Sequence, residues 1–156
     1  MNRNHFIRLF NYDNVVNRQV LDLLRSQTVT DEKTKKTFAH LITSKKVWIQ
    51  RLTGKDTGGM VLWPDLEWDK CAMLIRENRA SYETYFSRIP EEGLDDNVNY
   101  QNSKGVNFHT PVRDILNHVL IHGGYHRGQI ARAVREAGGD PVNTDYITYV
   151  RNTDNR

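Results

Sequence analysis

Asn117-His118-Val119-Leu120-Ile121-His122-Gly123-Gly124-Tyr125-His126-Arg127-Gly128-Gln129-Ile130-Ala131-Arg132-Ala133-Val134-Arg135-Glu136-Ala137 is a proline-free stretch with histidines at every fourth position from 118 to 126. A step of four turns an α-helix by only about 40° and climbs about 6 Å, so the spacing predicts one long helix with three imidazoles stacked on one face. Taking His122 as the zero direction, Ile115, His118, Tyr125, His126, Gln129, Ala133 and Ala137 fall within about 60° of it, which predicts that the imidazoles share an inward-pointing stripe. Such a stripe is ordinarily Leu, Ile and Val, and imidazoles placed there need hydrogen bonds or a metal to offset their desolvation. One histidine alone reads as a core residue bonded to a carbonyl or hydroxyl. Two at a step of four chelate a borderline-soft divalent ion well.

Two histidines of one helix need a third protein ligand, usually from a neighbouring element. The candidates are His118, His40, His5 and His109. His40 falls in a predicted helix from Thr30 to Thr53, on the edge shared by Thr37, Ser44 and Val47 and beside the apolar stripe of Phe38, Leu41, Ile42, Ile49 and Leu52. That position suits a cavity wall, and periodicity accommodates a half-exposed, functionless histidine equally well. His5 lies near the start of the first helix and His109 just before the fourth, which makes both less well placed. If His40 pointed outward the site would fail, because His118 and His126 are about 12 Å apart along a straight helix.

Outward from this stretch the chain contains three more long helical patterns. The first spans about Asn4 to Arg25, with Ile7, Phe10, Val15, Val20 and Leu24 at apolar positions. The second is the His40 helix, with Thr30 as its expected cap and Gly54 as its stop. The third runs from about Asp69 to Ser87, after a loop containing Trp63-Pro64-Asp65-Leu66, and Pro90 ends it. Val98, Tyr100, Val106 and Phe108 alternate around Asn102-Ser103-Lys104-Gly105, which predicts a small hairpin before the last long helix. Thr110 is the expected cap of that helix, with Pro111 in its first turn and Gly138-Gly139 past its end. A short final helix is expected after Asp145.

The 156 residues make one domain, 1–156, large enough to bury a real core. No apolar run approaches the ~20 residues of a membrane span, and Asn2-Arg3-Asn4-His5 leads into an amphipathic helix rather than a signal sequence, so a cytoplasmic protein is expected. A single cysteine, Cys71, excludes an internal disulfide and a thiolate metal cluster; buried packing is its expected role. The net charge of +3 raises nucleic-acid binding, yet Lys33, Lys35, Lys36, Lys45, Lys46 and Arg51 lie beside Asp31 and Glu32 with no binding motif, so a solvated face is expected and nucleic acid is not a partner.

The run His118-Val-Leu-Ile-His122-Gly-Gly-Tyr-His126-Arg127-Gly128-Gln129-Ile130, followed by Arg135, Gly138, Pro141 and Thr144-Asp145-Tyr146-Ile147, resembles the last helix and tail of DinB-like proteins. The resemblance covers the whole chain, including His40 in the second helix and the segment from Asn97 to Gly105. It implies an all-α fold, an antiparallel four-helix bundle with a small hairpin or extended segment before the last long helix. It also implies a divalent metal held by His40, His122 and His126, with His118 beside the site as the catalytic candidate: a ligand-orienting, pocket-lining or proton-carrying residue. Relatives of this kind include transferases and isomerases that activate low-molecular-weight thiols such as bacillithiol or mycothiol at a three-histidine metal.

Other bundle chemistries do not fit. The chain contains no Glu-x-x-His pair of the di-iron type and no His-Glu-x-x-His of the zincins. Three neutral imidazoles leave a divalent ion its full charge and one or more open positions, the pattern of a catalytic site. Nickel or zinc is the leading expectation, with iron, cobalt or manganese compatible. The expected function is a metal-dependent enzyme that activates a small thiol or water for transfer to an electrophilic small molecule. The alternative is a non-catalytic metal-binding or stress-associated bundle. Arg51 is a candidate for a carboxylate of the thiol, against an exposed solubilising role, and Gln129 for support of a ligand. Gly123 and Gly124 each cost the helix about 1 kcal/mol relative to alanine and face away from the histidines with Leu116, Leu120 and Arg127. That face reads either as a homodimer contact or as close helix packing within the chain.

Overall fold

The computed structural model describes residues 2–27 and 30–154. Its long helices are α1 (Arg3–Ser26), α2 (Glu32–Leu52), α3 (Trp68–Arg88) and α4 (Val112–Glu136), followed by a short α5 (Tyr146–Asp154). A 3-10 turn at Glu91–Asp95 leads into an antiparallel hairpin of β1 (Asn97–Gln101) and β2 (Asn107–Pro111), in which Asn99 faces His109. The fold is an all-α bundle carrying one hairpin ahead of its last long helix. No helix among the described residues is long and apolar enough to cross a membrane.

The directions of the helices explain how the site is assembled. α1 runs against α3: the Arg3 backbone N–H meets Glu91 at 3.1 Å, Phe10 packs on Tyr82 and Phe86, and Arg25 reaches Asp69. α2 runs against α4, with Trp48 beside His118 and His40 beside His126. α2 and α3 run the same way, since Lys35, Ile42 and Lys45 meet Glu67, Asn78 and Tyr82 in that order. The segment 53–67 must therefore return along the bundle from the end of α2 to the start of α3, and on its way it passes over His40.

Two apolar clusters fill the interior. One gathers Phe6, Phe10, Ile49, Leu52, Phe86 and Leu116; the other gathers Val20, Leu24, Phe38, Ile42, Ile75 and Ile130. Between them lies a polar layer centred on buried Asp13, whose carboxylate accepts from Lys45 Nζ at 2.7 Å and Arg127 Nη1 at 2.6 Å. Asn17 completes the layer, donating to Asp13 at 3.2 Å and accepting from Arg127 at 2.8 Å. Burial by itself would raise the Asp13 carboxyl, but the Lys45 and Arg127 cations more than reverse this and hold it below the ordinary carboxylate range. Cys71 is buried in the second cluster, and burial pushes its thiol up to about 11, so it packs and does not react.

Several expectations need correction. The cap of α2 is Asp31, which accepts the Thr34 N–H at 2.8 Å, while the Thr30 hydroxyl turns back to the Leu24 carbonyl at 3.2 Å. Thr110 does not cap α4: it is a strand residue opposite Val98, and Pro111 precedes the helix, because hairpin pairing claims those residues first. The core-facing stripe of α4 is Val112, Ile115, Leu116, Val119, Gly123, His126, Arg127, Ile130 and Val134, centred about 90° round from His122 by the same helical wheel. Tyr125, Gln129 and Ala137 are exposed. α4 packs on α1 and α2 together, so the core direction bisects them and the histidines occupy the edge turned to α2. Lys45 and Arg51 are buried, not part of a solvated face. Gly123 is packed within the chain, where an added Cβ would meet Arg127 Nη1 and Asp13 Oδ1 at 3.0 Å, whereas a Cβ on Gly124 meets nothing.

Candidate metal centre

α2 and α4 run against one another, so a histidine part-way along α2 meets the pair at a step of four on α4. His122 Nε2 lies 3.2 Å from His40 Nε2 and 3.1 Å from His126 Nε2. All three ligand atoms lie within 4.8 Å of one another. Three nitrogens about 2.05 Å from one ion stand about 3.3 Å apart in a tetrahedral arrangement and about 2.9 Å apart in an octahedral one, and the two spacings from His122 fall between. The donor set therefore fits a divalent ion on three imidazoles of two helices.

The other ring nitrogens fix the tautomers. His40 Nδ1–H donates to the Leu62 carbonyl at 2.7 Å, and His126 Nδ1–H donates to Gln129 Oε1 at 2.8 Å. These partners assign the Nε2 lone pairs of both rings to the centre, the arrangement by which second partners orient metal-binding imidazoles. Burial lowers the pKa of His122 to about 4, helped by repulsion from His126, His40 and His118, and burial also lowers that of His40. Both are neutral at physiological pH, as ligands must be.

Aromatic rings wall the centre. Trp63, from the returning segment 53–67, stacks on His40 with centroids 3.7 Å apart and planes 2° from parallel, and stands edge-on to His126 at 5.7 Å. Tyr125 stands edge-on to His126 at 5.1 Å and accepts from Gln129 Nε2 at 3.1 Å. His118 lies one turn away, 5.5 Å from the His122 ring and 5.2 Å from that of Trp48, with its pKa lowered by partial burial and the nearby Arg51 cation. The two other histidines are elsewhere: His5 is exposed near the start of α1, and His109 is exposed on β2, bonded to Asn99.

The helical spacing brought out His122 and His126 and offered His40 as a candidate by its edge position, which the family resemblance then singled out. It did not find Trp63 or the Leu62 carbonyl, which lie in a connection whose path depends on the parallel run of α2 and α3. Nor did it find Asp13, although a carboxylate, Asn14 and Asn17 interrupting the apolar pattern of α1 were visible as candidates for a buried polar layer.

The DinB family model matches residues 1–156. The chain belongs to the DinB family. Protein DinB of Bacillus subtilis (strain 168) is 27% identical over 162 residues, covering 92% of each chain. The crystal structure of a DinB-like protein from Bacillus cereus ATCC 10987 is similar with a TM-score of 0.69 over 91% of this chain and 97% of that one. At 19% identity this second likeness speaks for the fold of this DinB-family chain, not for its chemistry.

Proposed function

We propose that this DinB-family protein is a metal-dependent enzyme that activates a small thiol or water for transfer to an electrophilic small molecule. The observation that carries the reading is the convergence of three Nε2 atoms while the Nδ1 atoms of His40 and His126 are committed to Leu62 and Gln129. His40, His122 and His126 would hold a divalent ion, which would supply the Lewis acidity that lowers the pKa of a bound thiol or water. Nickel and zinc suit three imidazoles best; iron, cobalt and manganese are compatible.

The protein's own residues do the rest. In this reading His118, one turn from His122 and outside the converging trio, would take the proton that an incoming thiol releases. Trp63 and Tyr125 flank the centre with their rings while staying open to solvent, at a side from which a small molecule can approach. The second reading is a non-catalytic bundle whose ion pins α2 to α4. A homodimer and a cytoplasmic location belong to the proposal. With Gly123 used within the chain, exposed Gly124 and Ile121 are the support for a second copy, and a monomeric mass in sedimentation at micromolar concentration would remove it.

Metal content tests the core of this reading. About one ion per chain is expected in wild type, lost in His40→Ala, His122→Ala and His126→Ala and kept in His118→Ala. A spectral change of the cobalt-substituted protein on adding a thiol supports catalysis, and no change favours the pinning role. No ion, and no uptake of nickel, zinc or manganese, would overturn both.

A further inference from the structure

The bundle buries two arginines near α2, and they are treated differently. Arg127 meets Asp13 and Asn17 at 2.6 and 2.8 Å. Arg51 is 9% exposed, yet none of the described residues offers it a carboxylate. Its guanidinium lies 4.6 Å from the Trp48 ring centroid and 5.1 Å from that of Tyr100. Two aromatic rings thus stabilise the charge and hold its position. In its plane, Nε makes one long hydrogen bond, 3.4 Å to Thr57 Oγ1. The Nη groups have no protein partner among the described residues, and they are absent from the fully enclosed polar atoms left without one, which are Arg3 Nε, Thr43 Oγ1 and Arg127 Nε.

Arg51 lines a cavity of about 490 Å³ between the segment after α2 and the hairpin, with Lys55, Asp56, Asn99, Tyr100 and Asn102 among its walls. Two cations face one carboxylate there, and Asp56 Oδ1 already accepts the Gly58 N–H at 2.9 Å. The Trp48 and Tyr100 rings meet edge-on 5.2 Å apart, so both flank the guanidinium from one side, and its donor edge stays free to receive a carboxylate or phosphate through paired hydrogen bonds.

We propose that Arg51, flanked by Trp48 and Tyr100, is the floor of an anion-binding subsite that takes the carboxylate or phosphate group of a small acidic ligand. Ring contacts link it to the metal centre, from Arg51 to Trp48, from Trp48 to His118 and from His118 to His122. It deepens the function proposed above, by holding the acidic end of the molecule whose other end reaches the ion. Its own test does not involve the ion.

The full chain, labelled with ¹⁵N, is titrated with inorganic phosphate and separately with succinate at constant ionic strength, following the Arg51 Nε–H and Trp48 indole N–H signals. A saturable shift of both with a millimolar Kd is expected. It should weaken at least tenfold in Arg51→Met, which keeps an apolar stem beside the rings, weaken less in Arg51→Lys, and stay within twofold in His122→Ala. A shift that does not saturate in wild type overturns the proposal without recourse to any variant. So does one that survives in Arg51→Met. A shift lost in His122→Ala would place the anion at the histidines and overturn it as well, whereas loss of metal uptake alone leaves the subsite standing.

Discussion

Asp13 is the residue on which most of the interior charge turns. Its carboxylate faces two buried cations, and removing one partner of such a group leaves uncompensated charge, costing about 3–5 kcal/mol. Asp13→Asn should lower unfolding free energy by that amount in urea at pH 7. Because the folded carboxyl sits below its unfolded value, its stabilisation is present above the unfolded pKa of about 4 and fades as pH falls through the folded one. The gap between wild type and Asp13→Asn should therefore be constant from pH 7 to about 5 and shrink below about 4; a gap that grows on acidification would contradict the assignment. Gln129 offers a milder test. It is exposed, so Gln129→Ala should leave stability within about 0.5 kcal/mol, yet by freeing His126 Nδ1–H it should weaken metal binding by about 10–100-fold in a chelator competition.

At the scale of elements, α4 carries adjacent glycines with opposite roles. Replacing glycine by alanine in a helix gains about 1 kcal/mol when nothing interferes. Gly124→Ala meets open space and should raise stability by roughly 0.5–1 kcal/mol in urea titrations. Gly123→Ala places a methyl 3.0 Å from both Arg127 Nη1 and Asp13 Oδ1, displaces that ion pair and should lower it. Equal effects of the two substitutions would mean that α4 is not seated on α1 in this way. The segment 53–67 is the other decisive element. It leaves α2 through Gly54 at φ 76°, a left-handed turn suited to glycine, and returns to set Leu62 and Trp63 against His40.

For the whole molecule, the centre joins α2 to α4 on the edge of a bundle whose interior is already filled. An ion that binds only the folded chain stabilises it by about 2.7 kcal/mol at a hundred times its Kd, which for a domain of this size raises Tm by roughly 5–11 °C. That rise is expected with nickel or zinc in a thermal melt and should vanish in His122→Ala. An equal rise in that variant would show that the ion binds elsewhere.

The helices, the hairpin and the histidine pair were legible in the residues alone, because they rest on local spacing: a period near 3.6, a step of four, and glycine and proline stops. Family likeness carried in His118 to Ile130 added His40 before any contact was visible. The packing of the folded chain set which way α4 faces, since a helix packed on two neighbours points its core between them. It alone buried Lys45 and Arg51, because burial depends on what covers α2 and not on the charge of α2 itself. It alone brought Trp63 and the Leu62 carbonyl to His40, for the path of a long connection is set by the parallel run of the helices it joins.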